Sequence, residues 1–146
     1  MGQPKIKPEI ETPRLKLRAP VIADAPHIAH LANDLDVARM TARLPYPYLR
    51  IDAEDFIART ARPAANGDQT LVIDHADAGP IGSIGLFTSQ TGHPEIGYWI
   101  GKPFWGQGLA TEALRGLQTW AHGAKGRRYL TAGHFADNGA SAQVLI

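Results

Sequence analysis

Trp105-Gly-Gln-Gly-Leu-Ala-Thr111 places two glycines, one residue apart, directly before the strongest helical pattern in the chain. The first turn of a helix has N–H groups without acceptors, and the helix dipole is positive there. Glycines at 106 and 108 let a ligand approach the backbone closely. Such a loop suits phosphate oxygens. A nucleotide P-loop would need a lysine directly after its last glycine, but the first lysine beyond Gly108 is Lys125. A dinucleotide fingerprint would need glycine where Thr111 stands and an acidic residue about 20 positions on. Ala113 to Ala136 contains neither Asp nor Glu. The chain has no cysteine, so neither a disulfide nor an enzyme-bound thioester is available to it.

The elements that must position this loop can be read from periodicity. Residues 1–13 read as an extended lead-in. Leu15, Leu17 and Ala19 alternate with Lys16 and Arg18, the period of a half-buried strand. Asp24 can cap a helix with Ile28, Leu31 and Ala32 on its apolar face. A short helical piece is expected over Val37–Ala42. Leu44-Pro-Tyr-Pro-Tyr48 excludes regular helix. Asp52 reads as the next N-cap, with Phe56, Ile57 and Ala61 as the buried stripe. Strands are predicted over Gln69–His75, Ile81–Ser89 and Glu95–Ile100, with turns at Ala78–Pro80 and Thr91–Pro94. The loop runs from Gly101 to Gly108. The helix after it, Leu109 to about Gly123, carries Leu109, Ala113, Leu117, Trp120 and Ala121 on one face. A fourth core strand is expected over Tyr129–Phe135, and Asn138–Ile146 reads as the start of another helix. This order predicts one domain over 1–146, of α/β (α+β) class, with a mixed, mostly antiparallel central sheet flanked by helices.

The stretch Glu95 to Leu114 resembles the acetyl-CoA motif of the GNAT N-acetyltransferases, most closely the RimJ/RimL-like branch acting on ribosomal-protein N-termini. The family loop reads Gln/Arg-x-x-Gly-x-Gly/Ala. Gly108 and Ala110 fit it, and Trp105 stands where Gln or Arg is usual. Thr12-Pro-Arg-Leu15, Ile81-Gly-Ser-Ile-Gly85 and Ala136-Asp-Asn-Gly-Ala-Ser141 also match, in the right order. The resemblance implies direct transfer of an acetyl group from acetyl-CoA, as co-substrate, to a primary amine, either a peptide or protein N-terminus or a small molecule. It implies that Trp105, Gly106, Gln107, Gly108, Leu109, Ala110 and Thr111 form the pyrophosphate loop. Tyr98, Trp99 and Ile100 would offer a strand edge to the pantetheine arm. The Ile100 N–H would face the thioester carbonyl. Asn138 and Ser141 would face the cofactor arm, and Ser141 could protonate the departing thiolate.

An attacking amine must lose a proton. Glu95 is the first candidate base, His134 the second and His93 the third. Against these stand plainer readings: Glu95 as a solvated strand end, His134 as a satisfied sheet histidine, Ser141 as a packing or capping residue. Trp99, Phe104, Trp105 and Trp120 read as core or pocket wall. His27 and His30 share a helix face, but no further ligand accompanies them, and no metal is expected. Arg14, Arg18, Arg127 and Arg128 read as surface charge, with Lys125, Arg127 or Arg128 as possible contacts to the CoA 3′-phosphate. Acceptor choice would come from the helices and the 45–48 loop.

A net charge of +1 gives no argument for nucleic acid or an anionic membrane as partner. No apolar run approaches the ~18–20 residues of a membrane span, and no leader is evident, so a cytoplasmic protein is expected. The family pattern continues beyond residue 146 with the rest of a helix and further strands. The fold is therefore expected to lack its last strands and to leave a bare sheet edge, through which a homodimer could form. A shortened sequence, a shortened relative and a partner protomer supplying the cover all fit. The alternative function is a catalytically impaired, shortened CoA-binding module. A fragment whose open edge drives self-association is a third.

Overall fold

The computed structural model describes residues 8–39, 41, 44–62, 68–88, 92–125 and 131–132. Six strands form one sheet in sequence order: β1 (Ile10–Glu11), β2 (Leu15–Arg18), β3 (Gln69–His75), β4 (Gly79–Thr88), β5 (Pro94–Ile100) and β6 (Thr131–Ala132). The first five pair antiparallel, and β6 runs parallel to β5 opposite Glu95 and Ile96. The helices are α1 (Ala25–Ala32), α2 (Leu35–Arg39), α3 (Arg50–Thr60) and α4 (Leu109–Lys125). The sheet is mixed and mostly antiparallel, as the sequence predicts.

Alternation along the strands sends apolar residues to both faces, and each face is covered by helix. On one face, Leu15, Leu17, Leu71, Ile73, Ile84, Leu86, Ile96, Tyr98 and Ile100 pack with Leu109, Ala113, Leu114, Leu117 and Ala121 of α4. On the other, Val72 and Trp99 pack with Ala25, Ile28 and Ala32 of α1, Val37 of α2, and Ala53 and Ile57 of α3. Tyr48 joins this second cluster, and burial pushes its phenol up to about 12. The three layers fix β5 between α4 and the α1–α3 group.

Several boundaries differ from those the sequence suggests. Gly79 and Pro80 already belong to β4, and the turn before them is Ala76–Ala78. Helix α2 spans Leu35–Arg39, earlier than expected. Helix α3 begins at Arg50, two residues before the expected cap: Leu49 is the extended N-cap, and Asp52 reaches back to accept the Leu49 N–H at 2.8 Å. Asp24 directly precedes α1 but makes no side-chain cap bond to it. Its carboxylate accepts the Val21 N–H at 2.9 Å and two bonds from Arg18, at 2.8 and 2.9 Å.

Arg18 is therefore not surface charge. It is mostly buried and also donates to Asp74 at 2.9 Å, tying β2 to β3 and to the turn before α1. Its hydrogen bonds to the Asp24 carboxylate raise its pKa against the opposing effect of desolvation, with help from Asp74. The expected strand over Tyr129–Phe135 is described only at Thr131–Ala132. The expected last helix and bare edge lie outside the described residues. No helix among the described residues is long and apolar enough to cross a membrane.

Candidate functional site

Strand β5 ends at Ile100, a short 3-10 turn spans Lys102–Phe104, and the glycine loop leads into α4. Gly106 and Gly108 have φ of +78° and +77°, the left-handed region that side-chain-bearing residues avoid. These two turns aim the backbone into the helix start. Glu112 N–H donates to the Gly108 carbonyl at 3.1 Å, closing the first helical turn. Gly108 thus stands at the N-cap position without a side chain that could cap. The N–H groups of Leu109, Ala110 and Thr111 have no acceptor within the helix. The loop therefore offers a converging set of donors at the positive end of a 17-residue helix.

An acidic side chain stands in that same first turn. Glu112 would oppose a bound anion, but it is held by three donors. Arg14 Nε reaches its Oε1 at 2.7 Å, the Arg14 N–H reaches Oε2 at 2.7 Å, and the Thr12 hydroxyl also bonds Oε2. Burial pushes the Glu112 carboxyl up, yet the bonds from Thr12 and Arg14 outweigh it and leave the group below its ordinary range. Arg14 Nη1 additionally donates to the Gln107 carbonyl at 3.0 Å. The arginine braces the glycine loop and pairs with its acidic neighbour. Arg14 is exposed, as expected of a surface charge, but it is also bonded to the loop and to α4. The signal for those bonds was the Thr12-Pro-Arg-Leu15 segment together with an acid one turn into the helix.

The Gly101 N–H donates to the Ile81 carbonyl at 2.8 Å. Antiparallel pairs alternate between bonded and non-bonded rungs. The register therefore points the Trp99 and Gly97 amides toward β4 and the Tyr98 and Ile100 amides toward the β6 side. The described part of β6 lies opposite Glu95 and Ile96. Trp105 closes the end of this edge: its indole N–H donates to the Ile100 carbonyl at 2.7 Å. Lys102, in the 3-10 turn, forms an ion pair with Asp36 of α2, lowering the Asp36 pKa and raising its own.

On the opposite sheet face, Glu95, Gly97 and Trp99 point together, facing Phe87, Gly85 and Ser83 in register. Glu95 is half-buried there, on the rung beside Gly97. A cavity of about 180 Å³ opens on this face, lined by residues of β3, β4, β5 and α3 with Thr41 and Leu44. Tyr46 is exposed and Tyr48 is core, so none of the expected 45–48 loop lines the cavity; Leu44, just before it, does. His93 is exposed in the turn before β5. His134, Asn138, Ser141, Arg127 and Arg128 lie outside the described residues, as does the side chain of Lys125. His27 and His30 are both exposed, and no cluster of three or more metal-ligating side chains occurs among the described residues.

The family model described as an acetyltransferase (GNAT) domain matches residues 14–146. An acetyltransferase structure from Agrobacterium tumefaciens is similar over 99% of this chain and 84% of its own, with 25% identity and a TM-score of 0.71. The microcin C7 self-immunity acetyltransferase MccE, solved with acetyl-CoA and AMP, is similar over 91% of this chain and 76% of its own, at 19% identity and a TM-score of 0.71. RimL, the ribosomal L7/L12 alpha-N-protein acetyltransferase, is similar over 94% and 77%, at 20% identity and a TM-score of 0.72. No curated protein sequence matches the chain significantly.

Proposed function

The chain belongs to the GNAT acetyltransferase family, and from that premise we propose that it transfers an acetyl group from acetyl-CoA directly to a primary amine. The observation that carries this reading is the glycine loop: two left-handed glycines deliver an uncapped helix N-terminus beside the end of β5. These residues fit the pyrophosphate of CoA, because the N–H groups of Gln107 to Thr111 present fixed donors and no side-chain cap competes for them. When bound, acetyl-CoA supplies an activated acetyl thioester.

The chain's own residues then divide the work. Trp105 to Thr111 hold the phosphates. Tyr98, Trp99 and Ile100 line the pantetheine arm with the edge of β5 that faces away from β4. The Ile100 N–H points to that edge, where it stabilises charge developing on the thioester oxygen. Glu95, on the face that carries the cavity, takes the amine proton directly or through one water. Asn138 and Ser141 as cofactor-arm contacts, Ser141 as proton donor to the thiolate, and His134 as an alternative base rest on the family resemblance.

The first test is the thermal midpoint with and without excess acetyl-CoA. A ligand at about 100 times its dissociation constant adds about 2.7 kcal/mol to the folded state, enough to raise the midpoint by several degrees. CoA release on adding an amine then tests transfer. An unmoved midpoint in a cooperatively melting chain would overturn the cofactor assignment. A raised midpoint without release across a broad amine panel would leave a CoA-binding module.

A further inference from the structure

The cavity on the α1–α3 face of the sheet lies against a rung of two glycines. Gly85 and Gly97 stand opposite each other across β4 and β5. The neighbouring rungs on the same face carry Ser83 with Trp99 on one side and Phe87 with Glu95 on the other. The Phe87 ring takes the space that a side chain at Gly85 would fill: a Cβ there would sit 2.3 Å from Phe87 Cζ and 2.8 Å from the Gln69 carbonyl oxygen. Leu44, with Phe56 and Thr60 of α3, forms the opposite wall. The result is a slot of about 180 Å³ bounded by aromatic rings and hydroxyl-bearing side chains.

Its chemistry is selective. Among the described lining residues the one charged side chain is Arg59, whose Nε donates to Asp55 at 3.1 Å, and none is acidic. A second ammonium group entering the slot would lose water without meeting a carboxylate there, at a large desolvation cost. Hydroxyl-rich sugars would exchange water for aromatic walls and for Thr60 and Ser83 hydroxyls whose protons already go to the Phe56 and Leu71 carbonyls. An apolar group gains in proportion to the area it buries. An apolar cavity of about 150 Å³ is known to hold a benzene ring, so this slot matches one ring or a short branched chain.

We propose that the slot binds the non-reacting end of the acceptor and selects primary amines bearing a single compact apolar group, up to a phenyl ring, over polyamines and amino sugars. This rests on the acetyl-transfer reading, which supplies the need for an amine at β5. Gly97 and Trp99 line the slot, so an amine held there lies against the strand assigned to the thioester. Glu95 stands two residues from Gly97, about 7 Å along the strand, within reach of the amine through its side chain or one water. Phe56 and Thr60 set the length of group that fits.

The experiment measures both binding and turnover. Calorimetric titration of the chain with 2-phenylethylamine, 3-methylbutylamine, putrescine and glucosamine, in the presence of CoA, should show the first two binding at least tenfold more tightly. Thr60→Leu fills the slot and should weaken 2-phenylethylamine at least tenfold more than it weakens ethylamine. Phe56→Ala lengthens the slot and should shift preference toward 2-naphthylethylamine. CoA release should follow the same order. Putrescine or glucosamine binding as tightly as 2-phenylethylamine, or both variants leaving the order of amines unchanged, would overturn the proposal. If 2-phenylethylamine binds as expected and no CoA is released, the slot stands and the transfer reading falls. If CoA is released equally with all four amines, the transfer reading stands and the slot falls.

Discussion

Arg14 Nε donates to Glu112 Oε1 at 2.7 Å, joining two residues 98 apart in sequence, and the same guanidinium holds the Gln107 carbonyl at 3.0 Å. One side chain thus spans the start of β2, the glycine loop and the first turn of α4. Removing it releases the loop and leaves the Glu112 carboxylate less neutralised beside the phosphate donors. Arg14→Ala should raise the acetyl-CoA dissociation constant about tenfold, a difference of about 1.4 kcal/mol, while kcat at saturating cofactor changes little. Stability should fall by about 1–2 kcal/mol in denaturant unfolding, near the low end for a charge-assisted bond because Arg14 is half exposed. Arg14→Lys should recover the charge but not the fork geometry, and so only part of the affinity. An unchanged dissociation constant in Arg14→Ala would show that the brace does not matter to the cofactor.

The same pair makes stability depend on pH in one direction. Glu112 is held below its ordinary value of 4.5: burial raises it, but the bonds from Thr12 and Arg14 prevail. A carboxyl depressed in the folded state stabilises the fold fully above its unfolded value, and that stability is lost as pH falls through the folded value. Wild type should therefore melt higher than Glu112→Gln at neutral pH. The gap should begin to close below about pH 4.5 and vanish at more acid pH. A gap independent of pH would mean that Glu112 acts through packing rather than charge.

Gly108 tests the loop's backbone separately. Its φ is +77°, and the nearest heavy atom to an added Cβ would be Arg14 Nη2 at 3.6 Å, an ordinary contact. Gly108→Ala should therefore act through backbone strain, costing about 1–2 kcal/mol, and through loss of the loop geometry. Gly79, with φ of +80° and open space around its Cβ position, is the matched control at the start of β4. Both alanine variants should melt lower by a similar margin. Only Gly108→Ala should weaken acetyl-CoA, by at least tenfold. Equal effects on the cofactor would remove the loop from the site.

The sequence carried what local periodicity can carry. The α4 stripe of Leu109, Ala113, Leu117 and Ala121 is buried as its spacing predicts, with Leu114 added to it. The Gln69–His75 strand has the predicted limits. Asp52 was misread as an N-cap because an acid serves equally well at N-cap or N3, and which residue turns extended is settled by the chain before it; here that residue is Leu49. Arg18 was misread for a different reason, and Arg14, exposed as expected, has bonds that the same reason hid. Asp74 is brought to Arg18 by the β2–β3 pairing and Glu112 to Arg14 by the docking of α4, which no spacing along the chain encodes, whereas Asp24 lies only six residues from Arg18. The slot beside Gly85 and Gly97 was hidden likewise: two glycines in separate strands share one rung, with the Phe87 ring over Gly85, only once the register sets them opposite each other.

Glu95 is the side chain on which the proposed proton transfer depends. It is half-buried on the rung beside Gly97, opposite Phe87, on the face that opens to the slot. A carboxylate there can accept a proton from an amine held at the slot, whereas Gln keeps the shape and loses the basic oxygen. Glu95→Gln should lower kcat about 10²–10⁴-fold, the range for a lost general base. The acetyl-CoA dissociation constant and the thermal midpoint should stay near wild type, since the phosphate loop begins beyond the far end of β5. Glu95→Asp should recover part of the rate, because a shorter carboxylate can still act through water. A kcat within a few fold of wild type in Glu95→Gln would move the base to another group, with His134 next to be tested by the same comparison.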